Sequence, residues 1–164
     1  MLEPIVEIPM GNWYWSVFNR SQLKRQKRID CPVLPAAYVL QWKRRNYAGE
    51  SADSLWRARE HNQKHWDTVS IVWHQSKTLD DSIRVLLEFG LTLIHLGCVR
   101  RVANKVADLP TYDKRSRRLA LDFFEAYLKH FNSVARFTLG SQSSQSYKAA
   151  HIAVEYLRYI LRRR

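Results

Sequence analysis

Ser54-Leu-Trp-Arg-Ala-Arg-Glu-His-Asn-Gln-Lys-His-Trp-Asp-Thr-Val-Ser-Ile-Val-Trp-His-Gln75 places Leu55, Ala58, Asn62, Trp66, Val69 and Trp73 three or four residues apart. That recurrence marks one face of an α-helix. Ser51 or Asp53 can supply a cap oxygen, and Glu50 and Asp53 put negative charge where a helix N-terminus favours it. The spacing predicts a helix running to about Gln75. Helical readings then extend in both directions. Upstream, Pro35 suits a first helical position, and Ala36–Tyr47 follows as a short helix stopped by Gly49. Downstream, Thr78-Leu-Asp-Asp81 offers a cap and two first-turn acids for an apolar helix over 79–107.

From Val85 to Val99 only Glu88, Thr92 and His95 are strongly polar, so that helix belongs at the centre of a bundle. Gly90 and Gly97 inside it read as points of close helix packing, and Asp108-Leu-Pro110 ends it. Thr111 can cap a fourth helix to about Thr138, with Leu119, Phe123, Phe124, Tyr127, Phe131 and Val134 as its buried stripe and Gly140 as its stop. A last helix from Tyr147 carries Ala150, Val154, Leu157 and Leu161 on one face. Residues 1–34 hold Pro4, Pro9, Gly11 and Pro32 and show no helical period; Trp13-Tyr-Trp-Ser-Val-Phe18 reads as a short strand or an extended arm. The expected fold class is all-α: a compact bundle of about five helices over 35–164, behind an irregular Trp-rich N-terminal segment, as a single domain overall.

With 46% apolar and 12% aromatic residues the chain can build a core, which excludes global disorder. Cys31 and Cys98 form no C-x-x-C pair, which argues against a disulfide scaffold or a cysteine zinc site and for a reducing, cytoplasmic compartment. Met1–Glu7 lacks the basic start and apolar run of a signal peptide, and long uncharged runs such as Ile8–Asn19 and Phe89–Val99 fall short of the ~20 residues a membrane span needs. No membrane partner, cofactor or metal is expected.

Charge is the strongest pointer to function. Lys and Arg number 27 against 15 Asp and Glu, a formal net charge of +12. Self-repulsion of that size is relieved by a polyanion, and nucleic acid is the commonest, because each neutralised phosphate releases counterions. Five basic clusters carry the surplus: Lys24/Arg25/Lys27/Arg28, Lys43/Arg44/Arg45, Arg100/Arg101/Lys105, Lys114/Arg115/Arg117/Arg118 and Arg158/Arg162/Arg163/Arg164. Some belong near helix ends, where cations serve the macrodipole or solubility. The imbalance is local, however: residues 8–49 hold eight basic residues and one acid. The candidate nucleic-acid contacts are Lys43, Arg44, Arg45, Arg100, Arg101, Lys105, Lys114, Arg115, Arg117 and Arg118. Trp13, Trp15, Trp42 and Tyr47 lie near cations and are candidate base-stacking rings, against the plainer reading of core filling.

Other constellations are thin. His61 and His65 share a face if helical, yet Asn62 stands where a zinc protease needs Glu. Glu88 and His95, seven apart, share a face as well, and a structural bond is the plainer reading. Arg59 and His65 resemble the Arg-x(4–6)-His motif of the HEPN ribonucleases, which implies charge stabilisation and proton transfer at an RNA 2′-hydroxyl. No phosphate-cradling glycine loop is present among only five glycines.

Two stretches resemble the helical small subunit of type III CRISPR effector complexes. Ile83-Arg-Val-Leu-Leu-Glu-Phe-Gly-Leu-Thr-Leu-Ile-His-Leu-Gly97 is similar to its central apolar helix, and Ser146–Arg164 is similar to its closing helix, which begins near a Tyr and ends aliphatic, aromatic and basic. Together they cover about a fifth of the chain. The resemblance implies a non-catalytic subunit in antiviral defence that lines a nucleic-acid groove and packs against copies of itself or neighbouring subunits. The expectation is thus a non-enzymatic structural subunit of a ribonucleoprotein, with RNA or a single strand as partner. The alternatives are a viral capsid or nucleocapsid protein, a HEPN-type ribonuclease using Arg59 and His65, and a protein-interaction adaptor.

Overall fold

A computed structural model describes residues 2–42, 45–61, 65–98, 101–102, 108–137 and 144–162. It overturns the all-α bundle: the protein is α+β, organised on a sheet ordered β1-β2-β5-β3-β4-β6. The strands are β1 (Val6–Met10), β2 (Trp13–Asn19), β3 (Ala36–Trp42), β4 (Arg45–Ser51), β5 (Thr68–His74) and the two-residue β6 (Arg101–Val102). Neighbours are antiparallel except β6, which lies parallel to β4. The helices are α1 (Arg20–Lys24), α2 (Ser54–Arg59), α3 (Asp81–Cys98), α4 (Lys114–Lys129), α5 (Phe131–Val134) and α6 (Ser144–Arg162).

Each missed strand has a physical reason. β5 sits between β2 and β3 and is covered on both faces, so Val69 to Val72 are all buried and no polar alternation is left to read. A short continuous apolar run fits a helical spacing as easily as a strand. The helix starting at Ser54 ends at Arg59, and the rest of the quoted stretch leads into β5. Ala36–Tyr47 belongs to the antiparallel pair β3 and β4, and the sequence between Trp42 and Arg45 carries no Asn-Gly or similar turn signal. The Trp-rich N-terminal segment is not irregular: β1 and β2 pair from Val6↔Val17 to Met10↔Trp13 across Gly11-Asn12. Gly11 takes the positive φ, 68°, that the first position of a type II′ turn needs.

Two layers cover the sheet. Met10, Trp13, Trp15, Val17, Ala37, Val39, Ala48 and Val72 face the long helices and share one core with Ile83, Leu87, Leu91, Phe123, Phe124, Val154 and Leu157. Phe18, Tyr38, Leu40, Val69 and Ile71 face the other way, under Leu23 of α1 and Leu55 and Ala58 of α2. The long helices match the sequence more closely, although α3 is Asp81–Cys98 with β6 inside the expected 79–107 helix, and the expected fourth helix breaks at His130 into α4 and α5, the latter carrying Phe131 and Val134. Asp80 Oδ1 accepts from Ile83 N at the start of α3, and Asp113 rather than Thr111 caps α4 through Ser116 N at 2.7 Å. The expected stripes of α4 and α6 are inside, apart from the half-buried Leu119. Among the described residues, no helix is long and apolar enough to cross a membrane.

Gly90 is a packing glycine. A Cβ there falls 2.0–2.7 Å from the ring of Phe124, which is wholly buried and has nowhere to move. Gly90→Ala gains about 1 kcal/mol of helix propensity but overpacks this contact at a cost of about 1–3 kcal/mol. Urea denaturation is expected to show a net loss, partly recovered by adding Phe124→Leu. A midpoint raised by Gly90→Ala alone contradicts the contact.

His95 is wholly buried on α3, and among the described residues neither ring nitrogen has a hydrogen-bond partner. It forms no pair with Glu88. Burial holds its pKa down to about 3. The unfolded chain protonates this ring near pH 6.5 while the folded chain refuses the proton, so its stability contribution is complete above pH 6.5 and falls towards pH 3, at most by about 1.4 kcal/mol per pH unit. Glu88 works the other way: burial, then the charge of Glu50, raises it to about 7, so its contribution is greatest at low pH and falls as pH rises from about 4.5 to 7. Comparing His95→Leu with wild type isolates the histidine. The melting-temperature advantage of the variant is expected to widen between pH 7 and pH 5; an advantage independent of pH contradicts a buried neutral imidazole.

Candidate nucleic-acid interface

The ten candidate contacts fall into two groups. Arg45 opens β4, is exposed, and pairs in backbone register with Arg101 of β6 at the edge of the sheet. Lys43, Arg44, Arg100 and Lys105 lie outside the described residues, and of Arg101 only the backbone is described. The second group, Lys114, Arg115, Arg117 and Arg118, opens α4 at the far end of α3. There Arg115 Nη1 meets Asp80 Oδ2 at 3.1 Å, just before α3 begins, whereas β6 follows its C-terminus. An 18-residue helix separates these groups by about 27 Å.

The start of α4 also meets the end of α6. The Tyr112 hydroxyl donates to the Leu161 carbonyl at 3.3 Å. This brings the 114–118 cluster beside the C-terminal one, in which Arg158 pairs with Glu125 and Glu155 while Arg162 is exposed. A cleft of about 390 Å³ opens here, lined by Thr111, Tyr112, Asp113, Lys114 and Arg117. Bonds from Ser116 hold the Asp113 carboxyl below the usual range, so the cap stays charged. Helix-end chemistry does not account for these cations. They sit at an N-terminus, where the dipole opposes positive charge. Lys114 and Arg118 are exposed and have no ion pair among the described residues.

Two cations of the first basic cluster, Lys24 and Arg28, are structural. Lys24 donates to the Arg59 carbonyl, Arg28 pairs with Asp53, and the guanidiniums of Arg28 and Arg59 both stack on Trp56, at 4.8 and 4.6 Å. Burial, then the charges of Arg20 and Arg59, lowers the Lys24 pKa. Arg59 Nε donates to the Leu23 carbonyl at 3.1 Å, tying α2 to α1. Arg59 is thus a tether, and α2 ends with it, so His65 does not share its helix. The same helix end removes the His61/His65 metal face; among the described residues no group of three metal-ligating side chains occurs.

His61 instead lies 2.8 Å from the Tyr38 hydroxyl, beside Tyr47. Burial pushes both tyrosine hydroxyls up, Tyr38 far more, so they stay protonated. A Cβ at Gly49 would fall 2.4 Å from the Tyr38 ring, which crosses β4 there. This cluster and the buried Arg84 escaped the sequence reading; the one signal was a cation inside an apolar helix. Trp13 and Trp15 are wholly buried, with Trp13 Nε1 donating to Asp122 at 3.0 Å, so neither can stack a base.

No family model, curated protein or solved structure matches this chain, and nothing in that outcome bears on the resemblance to the CRISPR small subunit.

Proposed function

We propose that this protein is a non-catalytic binder of nucleic acid. It holds the phosphate backbone at two basic groups, one where β4 meets β6 and one where α4 begins beside the end of α6. It works as a structural subunit of a larger assembly. The observation that carries this reading is the start of α4. Four cations in five residues oppose the helix dipole, at about 0.3–1 kcal/mol each. A phosphate chain laid across them turns that local cost into attraction and releases counterions. The net charge of +12 supports the same partner.

The first test is direct. Protein purified at low salt is expected to carry nuclease-sensitive material, read as a raised ratio of absorbance at 260 to 280 nm, and to bind added oligonucleotide once stripped. A ratio of protein alone, with no binding at low salt, overturns the reading.

A further inference from the structure

The face of α6 opposite the core carries large exposed side chains. Ala150, Val154, Leu157 and Leu161 point inward, at most 1% exposed, whereas Ile152, Tyr156 and Tyr159 are 69%, 53% and 57% exposed. These three recur at i, i+4 and i+7, so they form one continuous outward stripe rather than scattered surface residues. Lys148 stands one turn before Ile152, and Arg162 stands three residues after Tyr159. The one carboxylate in this stretch, Glu155, is held by Arg158. The stripe is therefore apolar and aromatic along its middle and positive at both ends.

We infer that this face of α6 is a stacking platform for the unpaired bases of a single nucleic-acid strand. The inference rests on the reading above and narrows its partner from nucleic acid to single strand. Two observations select that occupant. Charge complementarity is the first: a second copy of the chain would set Lys148 and Arg162 against like charges, while a strand offers bases to the rings and phosphates to the cations. Continuity is the second. The Tyr112 hydroxyl on the Leu161 carbonyl places the start of α4 beside the end of α6, so the phosphate site proposed there adjoins the Arg162 end of the stripe. Rings accept any base, which makes this face tolerant of sequence, and a duplex keeps its bases stacked and gains nothing from it.

The experiment uses the full chain, nuclease-treated, with Tyr156→Ser and Tyr159→Ser combined; both sites are on the surface, and circular dichroism checks folding. The probes are labelled uridine and thymidine oligomers of about 15 nucleotides and a blunt duplex of equal length, read by anisotropy. The variant is expected to lose about tenfold or more in affinity for the single strand, with its salt dependence and its duplex binding unchanged. Unchanged single-strand affinity in this variant, alongside a loss in Lys114→Glu/Arg118→Glu, overturns the platform and leaves the phosphate reading standing. Equal losses on strand and duplex also overturn it, as does a self-associating wild type that the variant converts to monomer. Wild type that binds none of the probes at low salt overturns both.

Discussion

Arg84→Met is expected to lower stability by about 1.5–3 kcal/mol, the cost of leaving the half-buried Glu50 carboxylate and the Leu79 carbonyl without their charged donor. Arg84 is 6% exposed. Its Nε donates to Glu50 Oε2 at 2.9 Å, its Nη1 donates to the Leu79 carbonyl at 2.6 Å, and its Nη2 meets Asp81. One guanidinium thus joins the start of α3 to β4. Without it Glu50 loses its cation while Glu88 remains nearby, and burial together with Glu50 already pushes Glu88 up to about 7. Against a typical total of about 5–15 kcal/mol this loss is large. Adding Glu50→Gln is expected to return part of it, because the half-buried carboxylate that lost its guanidinium is then neutral. Arg115→Ala breaks an exposed pair with Asp80 and is expected to cost under about 1 kcal/mol. Chemical denaturation of the four proteins checks the set; a loss below 1 kcal/mol for Arg84→Met shows that the guanidinium is not the joint between helix and sheet.

Lys114→Glu combined with Arg118→Glu is expected to move stability and binding in opposite directions. The two carboxylates agree with the α4 dipole, so the melting temperature rises, by about 0.3–1 kcal/mol of stability per site. Affinity for nucleic acid falls about tenfold or more, and the salt dependence becomes shallower by about one phosphate per cation removed. A purely structural role for these residues predicts no change in binding, and a general disruption predicts lower stability. Measuring both on one preparation separates the three outcomes.

The sequence disclosed the helices that carry their own local signals. Asp80 caps α3, and the apolar stripes of α4 and α6 are inside the protein with few exceptions. It concealed the sheet, because β5 is covered by α1 and α2 on one side and the long helices on the other, and loses its alternation there. Pairing register is a long-range property, and so is the meeting of basic clusters. Nothing local to Arg45 or Arg101 says that their backbones pair in register across β4 and β6. Nor does anything local to Arg162 say that α4 begins beside it. The tethers were hidden for the same reason: Arg59 reads as one more surface cation until Leu23 and Trp56 are placed around it.

Salt titration of binding tests the central claim most directly. With a single-stranded probe from about 50 to 300 mM KCl, the logarithm of the association constant is expected to fall linearly against the logarithm of salt with a slope of about −3 to −4, as four to six cations on phosphates require. An affinity that does not change across that range means the surplus cations do not lie along a phosphate chain, and the account fails.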